Sequence, residues 1–176
     1  MKKIIILFCL LVSTNAIAQH HFQITEDSKV IWQKVYETSL EFSQVQEIIF
    51  NSGKFNDIAV LNDNITCWFN EAPIDYKQAG YSTSQISMML RDCNVKFFTT
   101  VQFKEGKYRV TLEQVQFIQR FDTSFFKKGE ISYLENSAIR KGTFNKMVEG
   151  NTLNVLDDVF RPMFEFKPPT HLNNEW

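Results

Sequence analysis

Apolar and polar residues alternate most regularly in two neighbouring stretches of the chain, over 95–103 and again over 108–112. Between them lies Glu105-Gly106, a dipeptide of the kind that favours the two-residue turn of a β-hairpin. The pattern therefore predicts two antiparallel strands joined by a tight turn. After residue 112 the apolar positions shift their phase, which one β-bulge near Glu113 or Gln114 would explain.

Shorter patterns predict the other elements. The first are a strand over 30–37 and a helix that has a capping box at Ser43 and Gln46 and stops at Gly53. Strands over 56–61 and 65–69 follow, joined by Asn62-Asp63-Asn64. The last are a helical turn over 86–90, a short helix over 131–139, and a final helix over 153–164 that Pro162 should kink or interrupt.

This order of elements predicts an α+β fold, an antiparallel sheet with helices packed on one face. Residues 29–166 form a single domain, with a core over 29–120 and a C-terminal helical part over 121–166. We expect a flexible lead-in over 19–28 and a loose tail over 167–176 because both segments lack an apolar pattern.

The N-terminus has the three parts of a secretory signal peptide. Lys2 and Lys3 precede an apolar run over 4–12, and small residues follow at Ala16 and Ala18. The run is shorter than the roughly 20 residues that span a bilayer. We therefore expect cleavage after Ala18, export to the periplasm or beyond the cell, and no membrane span in the mature protein.

Composition and charge limit the classes of function. The chain has 176 residues with 17 Phe, a surplus that suits a sheet packed on helices. Its formal net charge is −1 and its lysines and arginines are not clustered. Nucleic-acid binding needs such a cluster, so we expect no nucleic-acid partner.

Two cysteines, Cys67 and Cys93, remain after the signal segment. In an oxidising compartment such a pair is a disulfide candidate. Two separately buried thiols are the alternative.

Cleavage after Ala18 would create an N-terminus that reads Gln19-His20-His21. A free amine, two amide nitrogens and an imidazole at the third position can hold Cu(II) or Ni(II) in a square plane. Cyclisation of the N-terminal Gln would remove the amine, and a polar terminus without metal is the alternative. No other cofactor is expected.

Three segments resemble a family of exported bacterial proteins, known as a domain of unknown function with a TATA-box-binding-protein-like fold. They are Val30-Ile31-Trp32-Gln33-Lys34-Val35-Tyr36-Glu37-Thr38, Val101-Gln102-Phe103-Lys104 and Gly106-Lys107-Tyr108-Arg109-Val110-Thr111. The resemblance covers about 29–120 and extends more loosely to the helix at 152–165. It implies a β-α-β4-α architecture and a bacterial envelope location, and it implies no activity.

Aromatic and methionine side chains beside the long irregular stretch 71–92 are the candidate binding residues: Trp68, Tyr76, Tyr81, Met88 and Met89. Packing in the core would explain them as well. The chain contains no catalytic signature such as a nucleophile elbow or a zinc-binding helix. We therefore interpret it as a non-catalytic binding or interaction domain with an unknown protein or envelope partner. The alternative is an uncharacterised periplasmic hydrolase.

The signal peptide can be tested directly. We expect the mature protein to begin at Gln19, so intact-mass measurement on protein exported by its natural host should show the loss of residues 1–18. A mass that retains Met1 to Ala18 would contradict cleavage.

Overall fold

The structure is a computed structural model, and it describes residues 20–168. The predicted signal peptide over 1–18, Gln19 and residues 169–176 lie outside the described residues. The strands are β1 (Phe22–Ile24), β2 (Val30–Glu37), β3 (Phe55–Leu61), β4 (Asn64–Phe69), β5 (Ala72–Pro73), β6 (Cys93–Lys104), β7 (Lys107–Gln119), β8 (Ile131–Tyr133), β9 (Ile139–Arg140) and β10 (Thr143–Phe144). The helices are α1 (Phe42–Asn51), α2 (Met88–Asp92), α3 (Leu134–Ala138), α4 (Lys146–Val148) and α5 (Asn154–Met163), with a π-helical turn at Glu149–Leu153.

The main sheet is antiparallel and has the strand order β1-β2-β7-β6-β4-β3, with β5 paired to β6 and β8 paired to β7. Its long strands and two principal helices follow one another as β2, α1, β3, β4, β6, β7 and α5. This succession confirms the predicted β-α-β4-α architecture and the α+β class. None of the described helices is both long and apolar enough to cross a membrane.

The β6–β7 hairpin is where the alternation predicted it. Lys104 pairs with Lys107 across the turn, and Gly106 has a φ of +75°, a left-handed conformation that suits glycine. The predicted bulge is at Gln114, which has a φ of +53°. The register with β6 shifts at the same place, between Lys96 and Phe98. Local sequence alone therefore predicted this part of the sheet.

Aromatic rings fill the layer between the sheet and α5. Phe160 lies edge-on to Trp32 of β2 and to Phe97 of β6, with ring centroids 5.8 and 5.0 Å away. Phe97 in turn stacks on Phe69 of β4 at 4.5 Å. All four side chains are buried. Part of the phenylalanine surplus thus joins helix and sheet.

Helix α5 continues through Pro162 and ends at Met163, so the predicted interruption is wrong. The proline lies in the last turn, so it removes only the hydrogen bond to the Asp158 carbonyl and no further turn follows it. Two tyrosine hydroxyls bond to carbonyl groups at this end of the helix. Tyr36 donates to the Arg161 carbonyl at 2.9 Å and Tyr108 donates to the Phe164 carbonyl at 2.7 Å. Burial raises the pKa of Tyr108 to about 12, so its hydroxyl keeps its proton at neutral pH.

Three local predictions differ from the structure. Within the expected flexible lead-in, Phe22–Ile24 forms β1 and Phe22 pairs with Trp32. The predicted helix over 131–139 is a strand followed by the five-residue α3. The N-cap of helix α1 is Glu41, two residues before the predicted cap Ser43, and the Gln44 side chain accepts from the Glu41 amide at 2.9 Å. Strands β1 and β8 are short and depend on pairing with β2 and β7, whereas the capping box of α1 is local and is displaced by two residues.

The aromatic layer makes Phe160 the most informative core position to truncate. We expect Phe160→Ala to lower the free energy of unfolding by about 3–5 kcal/mol, because its ring is buried against rigid neighbours. Phe50→Ala is the matched control, since Phe50 on α1 is 49% exposed, and its cost should stay below about 1 kcal/mol. Chemical denaturation measures both, and equal costs would contradict this description of the core.

Candidate functional site

The second face of the main sheet carries no helix among the described residues, and we call it the open face. The buried core contains the side chains that β4, β6 and β7 direct toward α5. The alternate side chains of the same strands are outside that core and partly exposed. The open face comprises Gln33 and Val35 of β2, Asn64, Thr66 and Trp68 of β4, Lys96, Phe98, Thr100 and Gln102 of β6, and Arg109, Thr111 and Glu113 of β7.

An aromatic pair lies at one end of the open face. Trp68 and Phe98 are directly opposed on β4 and β6, and their rings meet edge-to-face at 5.3 Å. The Lys96 ammonium lies 5.1 Å from the Trp68 ring centroid, which is a cation–π distance. These three side chains form a partly exposed surface that is apolar with a positive charge beside it.

A row of small polar side chains crosses the middle of the open face. Thr66, Thr100 and Thr111 lie side by side on three strands, and the Gln33 amide donates to the Thr111 hydroxyl at 3.0 Å. Thr100 is the central member of this row. The side chains are short, so the row leaves the surface flat and lined with hydrogen-bonding groups.

The structure separates the candidate binding residues instead of bringing them together. Only Trp68 lies on the open face. Tyr76 and Tyr81 lie in the irregular segment on the helical side, where the Tyr81 hydroxyl donates to Asp158 of α5. Met88 and Met89 line a separate cavity of about 60 Å³. Sequence reasoning did not name Phe98 as a binding candidate, although the alternation in β6 contained the signal.

A buried carboxylate on the helical side gathers polar groups from three elements. Asp157 Oδ1 of α5 accepts from the His21 amide at 3.0 Å, from His21 Nδ1 at 2.8 Å and from the Trp32 indole at 2.7 Å. Arg161 Nε lies 3.2 Å from the other carboxylate oxygen. Lys34 Nζ is 3.4 Å from His21 Nε2. The Lys34 contact is best made when the His21 proton is on Nδ1 and Nε2 accepts.

The environment of Asp157 determines its protonation. Burial by itself raises the pKa of this carboxyl group. The hydrogen bonds from the His21 amide, the Trp32 indole and the His21 ring outweigh that effect, so the net pKa is lowered. Asp157 is therefore a charged structural acceptor at neutral pH and is poorly suited to act as a proton donor.

The same cluster bears on the predicted metal site. Gln19 lies outside the described residues. A square-planar site would use the amide nitrogen and Nδ1 of His21. Both of these atoms donate to Asp157. His20 is buried, with its ring 5.1 Å from that of Phe144. Metal binding at this terminus would require His21 to leave Asp157. The described part of the chain contains no group of three or more His, Cys, Asp or Glu side chains that could hold a metal ion.

The two cysteines are free and buried. Cys67 is opposite Thr99 of β6, whereas Cys93 is at the start of the same strand. Cys93 and Thr99 are six residues apart along β6, so Cys93 and Cys67 are about 20 Å apart. This is much farther than a disulfide can bridge. Burial raises the pKa of Cys67 to about 12. The structure thus agrees with two separately buried thiols and contains no Cys67–Cys93 disulfide.

The lowered pKa of Asp157 has a measurable consequence. A carboxyl group with a lowered folded-state pKa stabilises the fold above its unfolded pKa of about 3.9, and this stabilisation is lost as pH falls through the folded-state value. We expect Asp157→Asn to cost about 1.5–3 kcal/mol at pH 7 and less as the pH falls toward 3. Denaturation at several pH values measures this. The control is Asp63→Asn, in an exposed turn, and a cost for Asp157→Asn that stays constant with pH would contradict the assignment.

Comparison with known proteins bears on the fold. No protein-family model matches the chain, and no curated protein matches it. A solved structure of a TBP-like protein from Parabacteroides distasonis is similar, with a TM-score of 0.50 and 12% identity over 79% of this chain and 88% of that one. A DUF4468 family protein from Bacteroides ovatus gives a TM-score of 0.47 and 18% identity over 83% of this chain and 91% of that one. The chain therefore has the TATA-box-binding-protein-like fold that its strand segments indicated.

Proposed function

We propose that the protein is an exported, non-catalytic interaction domain of the bacterial cell envelope, and that its open face binds a partner protein. The observation that carries this proposal is the Trp68–Phe98 pair, which is partly exposed on a sheet face that no described helix covers. The pattern of residues 1–18 supports export.

The side chains of the open face suit a protein surface. Tryptophan and arginine are the residue types that contribute most to protein interfaces, and Trp68 and Arg109 are both present. Lys96 and Arg109 are positive whereas Glu113 is negative, so the face carries both signs of charge. Mixed charges around an aromatic pair favour a partner with complementary charges.

The hydrolase alternative receives less support from the geometry. A serine or cysteine hydrolase needs a nucleophile within hydrogen-bonding distance of its base. Within residues 20–168, the side-chain partners of the His21 ring are Asp157 and Lys34, neither of which is a hydroxyl or a thiol. The carboxyl groups with a shifted pKa, Asp27, Asp92 and Asp157, are all lowered, whereas a general acid needs a raised value.

Site-specific photo-crosslinking tests the proposal. A photoreactive amino acid replaces Thr100 on the open face, and the control variant carries it at Glu47, which is exposed on α1. In intact envelopes we expect one protein adduct of defined mass from position 100 and none from position 47.

Adding Trp68→Ser to the position-100 variant should reduce the yield of this adduct at least about tenfold, because a buried interface tryptophan contributes strongly to binding. Its melting temperature must be measured alongside, because Trp68 is half-buried. The absence of a protein adduct at position 100, a carbohydrate adduct there, or the same adduct from both positions would contradict the proposal.

A further inference from the structure

The connection between β7 and β8, residues 120–130, carries three exposed aromatic rings, and we call it the phenylalanine loop. Phe125 is 82% exposed, Phe121 is 46% exposed and Phe126 is 42% exposed. Loop tips usually carry small or polar residues. The open face and its Trp68–Phe98 pair do not account for this loop, which extends beyond the end of the sheet.

Hydrogen bonds within the phenylalanine loop hold its rings outward. The Thr123 hydroxyl accepts from the backbone amides of Phe125 at 3.3 Å and Phe126 at 3.0 Å. The Thr123 amide donates to the Phe126 carbonyl at 2.8 Å, and the Gly129 amide closes the base of the loop on the Gln119 carbonyl at 2.8 Å. The exposure of the rings is therefore a property of a hydrogen-bonded turn.

The charges of the loop are arranged asymmetrically. The Asp122 carboxylate accepts from the Lys128 backbone amide at 2.8 Å, and the Glu130 carboxylate accepts from the Lys127 backbone amide at 3.0 Å. Both acidic side chains are thus engaged by the loop itself. The ammonium groups of Lys127 and Lys128 are exposed and form no salt bridge with any of residues 20–168. The tip therefore presents aromatic rings next to two lysine ammonium groups that form no ion pair within the described residues, and segment 120–130 has a formal net charge of +1 from Arg120, Lys127 and Lys128 against Asp122 and Glu130.

The size of this apolar tip discriminates between partners. Its three rings expose roughly 300–400 Å², about half of the 800 Å² that one side of a standard protein interface buries. A lipid surface requires no such complementary area. It accepts single aromatic rings at the level of the headgroups, and lysines beside them are attracted to anionic lipid.

We propose that the phenylalanine loop docks the protein on an anionic phospholipid surface. The Phe125 ring enters the boundary between headgroups and acyl chains, with Phe121 and Phe126 beside it. Lys127 and Lys128 contact lipid phosphates. Ile131 and Tyr133 of β8, which are also exposed, extend the apolar surface behind the loop. This membrane contact is independent of the partner protein proposed for the open face.

Vesicle sedimentation tests the proposal on protein that lacks residues 1–18. We expect binding to vesicles of 30% phosphatidylglycerol in phosphatidylcholine and little binding to pure phosphatidylcholine. Phe125→Ser should weaken the binding about tenfold or more. Lys127→Gln and Lys128→Gln should weaken it about fivefold each, and high salt should have a similar effect.

The control is Phe50→Ser, which removes a phenylalanine that is 49% exposed on α1, close to the exposure of Phe121 and Phe126, and should bind as the unaltered protein does. Because Phe125 is almost fully exposed, its replacement should leave the melting temperature unchanged. In a Phe125→Trp variant, brominated lipid should quench the fluorescence of the new indole. Failure to bind anionic vesicles, equal binding to neutral vesicles, or unchanged binding by Phe125→Ser would overturn the proposal.

Discussion

The contact between Trp32 and helix α5 determines which face of the sheet is covered. The Trp32 ring lies against Phe160 of α5 and against Phe164, the residue that follows the helix, at 5.8 and 6.0 Å. Its indole nitrogen donates to Asp157, one turn before Phe160. One side chain thus supplies both a large apolar surface and a directional hydrogen bond to a buried charge. His21 bonds to the same carboxylate, so β1 is held in place by the same contact. Since α5 lies on this face, the other face is left open.

Local sequence patterns predicted the secondary-structure elements that are stabilised by residues close together in the sequence. Strict alternation and Glu105-Gly106 were sufficient for the β6–β7 hairpin, and the change of phase located the bulge at Gln114. Strand β1 could not be predicted in this way, because three residues carry too little pattern and its stability depends on Trp32 and Asp157, both distant in sequence. The exposed residues of the open face could not be predicted from local patterns alone either. Periodicity separates the two faces of β6, but only the position of α5 decides that Phe97 is buried and Phe98 is partly exposed.

The two proposed contacts lie on parts of the sheet that do not compete. The open face is broad, flat and polar at its centre, and its aromatic residues are on β4 and β6. The phenylalanine loop joins the C-terminal end of β7 to the start of β8 and combines aromatic rings with two lysines that form no ion pair within residues 20–168. Docking through the loop would leave the threonine row of the open face accessible. A protein held at a membrane surface by a few rings would keep its sheet available to a partner in the same compartment.

The central claim is that one face of the sheet is covered by α5 and the other is not, and thiol reactivity at two adjacent positions tests it most directly. Thr99 faces the core and is fully buried, whereas its neighbour Thr100 lies on the open face. In Thr100→Cys, we expect site-resolved mass spectrometry to show rapid alkylation of the introduced thiol. In Thr99→Cys, the introduced thiol should be as protected as the buried Cys67. Equal protection at both positions would contradict an open face, and equal reactivity would contradict the packing of α5.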